Sequence, residues 1–331
     1  MKKVLVTGAG GFIGSHVVEE LLKENIEVRA LIRPGESLTN LKGMEIEKVE
    51  GDVLDTGAVL KAMAGVDTVF HLAAIFAIWM RDWSRIYEVN MQGTHNVLWA
   101  AMKSNIARVV YTSSIASIGI APGKQLSDEE TPFNQYTLGN HYVLTKYLSQ
   151  QIARGFAANG LDVVIVNPCF PFGTNDSGPT PTGQLIVDVL KSKNMFAFPG
   201  GINIVDVRDV ARGHVLAAKK GRTGELYILG NMNVSMKEFM QLAYKAAGFT
   251  VRPILPVPVP MLKISASVFK YWADNIGHKT PLTTPPEVSY ASQYLFFDNS
   301  KARNELGLTL TPIEESLRDS VHWFRENRYA P

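Results

Sequence analysis

Seven residues near the start, Gly8-Ala-Gly-Gly-Phe-Ile-Gly14, constrain the fold more than any other stretch. An apolar run, Lys3-Val-Leu-Val-Thr7, precedes them, and helical periodicity from Ser15 to Lys23 follows. The order is strand, glycine turn, helix. Gly8, Gly11 and Gly14 permit a tight turn and let backbone N–H groups approach a pyrophosphate at the positive end of the helix. The other use of such a turn is close packing alone. Its place between a strand and a helix favours nucleotide binding, with Gly8, Gly11, Phe12, Ile13 and Gly14 as contacts.

The pattern continues along the chain. Strands are predicted at Val28–Arg33, Ile46–Val49, Thr68–Leu72, Arg108–Thr112 and Leu161–Val166. Helical stretches lie between them at Val59–Met63, at Trp83–Ser104 and around Tyr142. Such alternation means βαβ units and a parallel sheet. The fold class is therefore α/β, with a Rossmann-type doubly wound parallel sheet over residues 1–168. Past Pro168 the texture changes. Phe170-Pro-Phe-Gly173 and Ser177–Gly183 read as ordered loops. A short strand (Glu225–Leu229) and helices at Val207–Lys219, Ser235–Ala247 and Ile313–Arg325 follow. Residues 169–331 are read as a smaller α/β part, mainly substrate-binding, with some segments returning to the Rossmann core.

Composition excludes several classes. A net charge of +2 over 331 residues, with no basic run, is no footprint for nucleic acid. One cysteine, Cys169, allows no internal disulfide and fits a reducing compartment. The opening Met1-Lys-Lys-Val-Leu-Val is cut at Thr7-Gly8, too early for a signal peptide. The apolar segment Val257–Trp272 is broken by Pro260, Lys263 and Lys270 and cannot span a bilayer. The chain is read as cytoplasmic.

Tyr142 and Lys146 stand four residues apart in a helical stretch, on one face. A free phenol titrates at about 10, and a neighbouring lysine charge lowers that value. The pair is thus a candidate proton-transfer device, although the same spacing is common on helix surfaces. Asp52-Val53 follows the third strand and His71-Leu72-Ala73-Ala74 the fourth, at the sheet edge where open α/β sheets bind ligands. Asp52 reads equally well as a turn or cap carboxylate.

These motifs occur together and in one order. Thr7-Gly-x-x-Gly-x-x-Gly14, Asp52-Val53, His71–Ala74, Asn90 in Val89–Thr94, Tyr111-Thr-Ser-Ser114 and Tyr142-x-x-x-Lys146 resemble the extended short-chain dehydrogenase/reductases. The tail Phe297–Arg303 with Leu306-Gly307 is similar too. Within that superfamily the chain resembles the dihydroflavonol-reductase and 3β-hydroxysteroid-dehydrogenase-like branch, and sequences labelled hopanoid-associated sugar epimerases.

The resemblance implies roles. Tyr142 would be the general acid/base, and Lys146 would hold the nicotinamide ribose and lower the Tyr142 pKa. Counting back from Gly119 matches Ser114, rather than Ser113, to the serine that bonds the substrate oxygen. Asn90 matches a relay asparagine, or is a buried helix asparagine bonded to backbone. Leu72, Ala73, Ala74 and Pro168 would join the coenzyme contacts. The Trp83 and Tyr142 helices would form a homodimer. In NAD-preferring members an acid ends the second strand. Here Ile32 stands there, with Arg33 beside it and Ser37 on the next turn. An arginine at this point implies NADP. The other reading has Arg33 stacking on adenine, with NAD used as well.

Departures from the superfamily also carry information. Dehydratases place an Asp-Glu pair where Ile115-Ala116 stands. Epimerases grip a diphosphate with arginines where this chain has Ile202 and the uncharged stretch 288–296. Arg208, Lys191 or Lys193 are the candidate substitutes. Ile75–Met80, Phe170, Phe172, Phe196, Phe198 and Tyr290 are candidates for an apolar cleft. The expected activity is NADP-dependent reduction of a ketone or aldehyde, or oxidation of the alcohol, on a hydrophobic small molecule. The alternatives are an NAD-dependent nucleotide-sugar epimerase and a non-catalytic NADP sensor.

Overall fold

The structure, a computed structural model, describes residues 1–191, 196–250 and 254–330, with Phe196 described by its backbone alone. Its first half runs β1 (Lys3–Thr7), α1 (Phe12–Lys23), β2 (Glu27–Ile32), β3 (Glu47–Glu50), α2 (Thr56–Ala62), β4 (Thr68–His71), α3 (Ser84–Tyr87), α4 (Thr94–Lys103), β5 (Arg108–Thr112), α5 (His141–Ala158) and β6 (Val163–Pro168). The second half runs β7 (Phe170–Phe172), α6 (Pro181–Lys191), β8 (Phe196–Ala197), β9 (Gly201–Asp206), α7 (Val207–Lys220), β10 (Leu226–Leu229), β11 (Met232–Ser235), α8 (Met236–Ala246), β12 (Leu255–Pro256), α9 (Val259–Trp272), α10 (Pro285–Ala291), β13 (Tyr294–Leu295) and α11 (Ile313–Glu326).

The main sheet has seven strands in the order β10-β6-β5-β4-β1-β2-β3, all parallel. The chain winds outward from β1 in both directions, so the order reverses between β1 and β4. Thr7 pairs with Leu31 on one side and His71 on the other, so the strand ends that open the crevice are level. Side chains alternate through this sheet with period 2. Val4, Val6, Phe70 and Val110 face α1 and α7; Leu5, Val69, Val109 and Ile165 face α2, α4 and α5. Each fully buried side chain of this kind contributes about 1.5–3 kcal/mol. A smaller sheet, β11-β9-β13 with β7 beside β9, packs under α6, α8 and α11 around Phe172, Ile186, Phe239 and Phe324.

The six strands expected before Pro168 are all present with ends shifted by at most two residues. The stretch Glu225–Leu229 becomes β10, paired with β6 (Leu226 opposite Ile165) as the seventh strand of the main sheet. The expected Trp83–Ser104 helix runs from Ser84 to Lys103 but widens to a π-helical stretch at Glu88–Gly93, which holds Asn90. Two loop readings fail. Phe170–Phe172 is a strand, and helix α6 starts inside the Ser177–Gly183 stretch. Helices α6, α9 and α10 all carry proline in their first turn, at Pro181, Pro260, and Pro285 and Pro286. A first-turn proline lacks an N–H that would have no helical partner anyway, so the residue that signals a loop here starts a helix.

Candidate active site

A cleft of about 440 Å³ opens at the carboxyl ends of β1, β4 and β5. Its floor at one end is the glycine turn, where Gly8, Gly11, Phe12, Ile13 and Gly14 all line it. Gly8 has φ +70°, and a Cβ there would stand 2.8 Å from the Ala73 nitrogen. A Cβ on Gly14 would stand 2.0 Å from the Gly8 carbonyl oxygen, so this glycine lets helix and strand close up. Gly11 is the N-cap of α1, no side chain caps it, and the first turn holds no acid. The free N–H groups of that turn border the cleft. That is the cradle a pyrophosphate requires, and the residues fit a dinucleotide.

Tyr142 lines the cleft from the first turn of α5, which Asn140 caps through the Val143 N–H at 3.1 Å. The two serines after β5 go separate ways. Ser113 pairs with Ser117 at 2.7 Å. The Ser114 hydroxyl bonds the Tyr142 phenol and accepts from the Ala116 N–H at 3.1 Å. The Tyr142 pKa lies above its usual value because burial disfavours the phenolate; Ser114 works against that shift and the Glu287 carboxylate adds to it. Here the expectation that Lys146 lowers the Tyr142 pKa fails. The Lys146 Nζ turns instead to the Thr112 carbonyl oxygen, 2.8 Å away, and burial pulls its own pKa down to about 7. A half-neutral amine directed at a carbonyl is a weak perturber of the phenol.

Under the strand ends runs a directed hydrogen-bond chain. The Ala73 N–H donates to Thr7 Oγ1 at 3.2 Å, and Thr7 Oγ1 lies 2.7 Å from His71 Nδ1. His71 Nε2 lies 3.0 Å from Thr94 Oγ1, which donates to the Asn90 carbonyl oxygen at 2.7 Å. Burial holds the His71 pKa near 3, so the ring is neutral. Thr94 spends its proton on Asn90 and must accept from Nε2–H; Nδ1 then accepts from Thr7. The Asn90 side chain itself holds the loop after β4, accepting from the Ile75 N–H at 2.7 Å and donating to the Ile75 carbonyl at 3.0 Å and to Thr145 at 3.1 Å. It bonds neither Tyr142 nor Lys146. Of the two readings of Asn90, this side-chain geometry is the backbone-bonded one.

Leu72 and Pro168 line the cleft, while Ala73 is half-buried and Ala74 exposed beside it. Asp52 caps the Leu54 N–H at 2.9 Å and meets Arg85 at 3.4 Å; Val53 is buried. Arg33 is exposed just past β2. Its backbone N–H is held at 3.1 Å by Glu36, whose other carboxylate oxygen stands 2.7 Å from where a Gly10 Cβ would be. Glu36 is thus an acid against the glycine turn that no motif announces. Ser37 bonds Thr39 at 3.0 Å.

The far wall is apolar. Phe76, Phe170, Phe198, Ile202 and Tyr290 line it, and the Phe76 ring meets Tyr142 edge-on at 4.6 Å. Phe172 does not line it; this ring is buried against Phe239 at 5.3 Å. The Phe196 side chain and Lys193 lie outside the described residues. Among the described residues no lysine, arginine or histidine lines the cleft. Arg208 is committed elsewhere, to Asp206 at 2.7 Å, Asp319 at 2.8 Å and Glu315 at 3.5 Å. The one charged side chain on the wall among the described residues is Glu287, from α10. It has Asn140 as a partner at 3.1 Å, and burial raises its pKa. Sequence reasoning missed Glu287 because α10 begins with two prolines.

A family model described as the NAD dependent epimerase/dehydratase family matches residues 4–230. A Synechocystis protein provisionally named a dihydroflavonol 4-reductase is 36% identical over 334 residues, 98% of this chain and 95% of its own length. Sterol demethylase protein B of Methylococcus capsulatus is 32% identical over 97% of this chain and 98% of its own. The crystal structure of a nucleoside-diphosphate-sugar epimerase from Pseudomonas aeruginosa superposes with a TM-score of 0.83 at 25% identity, covering 100% of this chain and 99% of that one.

Proposed function

The chain belongs to the NAD-dependent epimerase/dehydratase family, an NAD(P)-binding group of Rossmann-fold enzymes, and we propose that it is an NADP(H)-dependent carbonyl reductase of hydrophobic small molecules. One observation carries this reading within the family: the cleft that joins the glycine turn to Tyr142 has an apolar far wall with a carboxylate and, among the described residues, no cation. A nucleotide sugar brings a diphosphate that needs positive partners, and Glu287 would repel it. A ketone or aldehyde on a hydrophobic frame needs only one polar end. The names of two relatives, a dihydroflavonol reductase and a sterol demethylase protein, are consistent with frames of that kind.

The bound nicotinamide would supply or accept the hydride. Ser114 would hydrogen-bond the substrate oxygen where negative charge develops. Tyr142 would give that oxygen its proton in reduction and take it back in alcohol oxidation. Its raised pKa keeps the phenol protonated at neutral pH, which suits the reductive direction. Lys146 would turn from Thr112 to the nicotinamide ribose, and Arg33 would take the 2′-phosphate.

The test is a screen of NADPH consumption over aromatic, steroid-like and short-chain ketones and aldehydes, with calorimetry of UDP- and GDP-sugars beside it. Turnover of an apolar ketone with no binding of nucleotide sugar is expected. Micromolar binding of a nucleotide sugar, with NAD retained through purification, would establish the epimerase reading instead.

A further inference from the structure

Helix α9 presents a face that none of the described residues covers. Met261, Ile264, Val268 and Tyr271 recur at helical spacing on one side and are 62, 67, 60 and 66% exposed. Trp272 is exposed beside them, and Ile276, in the turn that follows, is 63% exposed. Ala266 is the buried residue of this helix. A contiguous apolar stripe of this size on a protein surface marks an interaction site.

We propose that this face lies in the interface of a membrane that contains anionic lipid. Charge selects that occupant. Residues 255–283 hold Lys263, Lys270 and Lys279 against Asp274, so the segment alone carries +2 from three positive and one negative charge, with His278 neutral. Lys270 is paired with Asp274, while Lys263 and Lys279 stand exposed beside the stripe. A stripe of aliphatic side chains with Tyr and Trp at one end and lysines at its border is the pattern of an interfacial helix. Among the described residues no helix is long and apolar enough to cross a membrane, so the helix lies on the surface rather than through it.

Position gives the docking a use. Helix α9 packs on α10, which brings Glu287 and Tyr290 to the cleft. The loop bearing Phe76 is tied to the turn after α9 by the Trp79 indole N–H donating to Asp274 at 2.8 Å. Phe76 is itself exposed at one edge and against Tyr142 at the other. The helix that bears the stripe is thus linked to the cleft through α10 and through the Phe76 loop. A substrate dissolved in lipid would reach Tyr142 without passing through water; this use rests on the hydrophobic-substrate reading, whereas the docking does not.

Co-sedimentation of the full chain with vesicles tests it, using phosphatidylcholine alone and phosphatidylcholine with phosphatidylglycerol. Wild type is expected to sediment with the mixed vesicles and much less with the neutral ones. The double variant Ile264→Asp/Val268→Asp should lose the binding while keeping its melting temperature and its affinity for NADPH. Replacing Lys263 and Lys279 by glutamine should weaken it about fivefold per lysine. Wild type that stays in solution with both vesicles overturns the proposal, as does a double variant that binds like wild type. Light scattering that shows a larger assembly dissolved by the double variant, without vesicle binding, assigns the face to a second copy and also overturns it. None of these readouts uses turnover, so the docking and the reductase reading can fail separately.

Discussion

Lys146 donates from Nζ to the carbonyl oxygen of Thr112 at 2.8 Å, inside a core that burial makes hostile to its charge. Its pKa falls from 10.5 in the unfolded chain to about 7 in the fold. Below about pH 7 both states hold the proton, and the fold bears the whole cost of the buried charge. Between 7 and 10.5 the unfolded chain holds more protons than the folded one, so stability rises with pH. We expect a gain of roughly 1 kcal/mol per pH unit in that window from this group. Lys146→Met should remove the rise and be the more stable protein at pH 6. Urea unfolding of both proteins across the window measures it; parallel curves would contradict the buried-amine assignment.

The two serines make a matched pair of controls. Ser114→Ala removes the hydroxyl bonded to Tyr142, while Ser113→Ala removes only a contact to Ser117. Tyr142→Phe is expected to lose about 10²–10⁴-fold in kcat, as is usual for a general acid, with NADPH affinity nearly unchanged. Ser114→Ala should fall by a similar order, and Ser113→Ala should stay within a few-fold of wild type. Steady-state kinetics on one ketone settle it; equal losses from the two serine variants would be the wrong outcome.

Coenzyme choice should respond in opposite directions to two neighbours. If Arg33 holds a 2′-phosphate as proposed, Arg33→Ala should weaken NADPH about ten- to a hundredfold through loss of a charge-assisted hydrogen bond, with NADH little changed. Glu36 stands against the same turn with the opposite sign, so Glu36→Gln should strengthen NADPH a few-fold. Fluorescence titration of both coenzymes on both variants measures this. A wild type that binds NADH and NADPH equally would remove the basis for the NADP assignment.

Glu287 raises the Tyr142 pKa by its charge. Alcohol oxidation needs the phenolate, so its rate climbs as pH approaches that pKa. Glu287→Gln should move the climbing limb to lower pH and leave NADP affinity alone. An unmoved limb would mean that Glu287 is neutral in the working enzyme.

Much of this site was legible in the chain because its parts are local. The glycine turn, Ser114 and the Tyr142/Lys146 spacing are each set within one strand end or helix turn, and the sheet that aligns them follows from strand alternation. What stayed hidden depends on the tertiary arrangement. Glu287 enters the cleft on a helix that opens with Pro285-Pro286, and Glu36 reaches Gly10 across a turn. The shift of Tyr142 was misjudged because spacing counts charges but not burial. Phe172 reads as cleft in the chain and is core: it shares the face of β7 that carries Phe170, but it lies deeper, packed on Phe239, while only Phe170 reaches the cleft.

The place of β10 in the main sheet has a bearing on how the chain is made. Leu226–Leu229 closes the outer edge of β6, and α7 packs along the flank of α1. On the ribosome, residues 1–168 can therefore emerge with their sheet one strand short and with one flank of α1 bare. The nascent chain must carry an open parallel edge and an apolar surface through the synthesis of some 60 further residues (168 to 229), the kind of exposure that recruits chaperones. A ribosome stalled between those points would hold a nucleotide-binding half that has its glycine turn but cannot yet close around it.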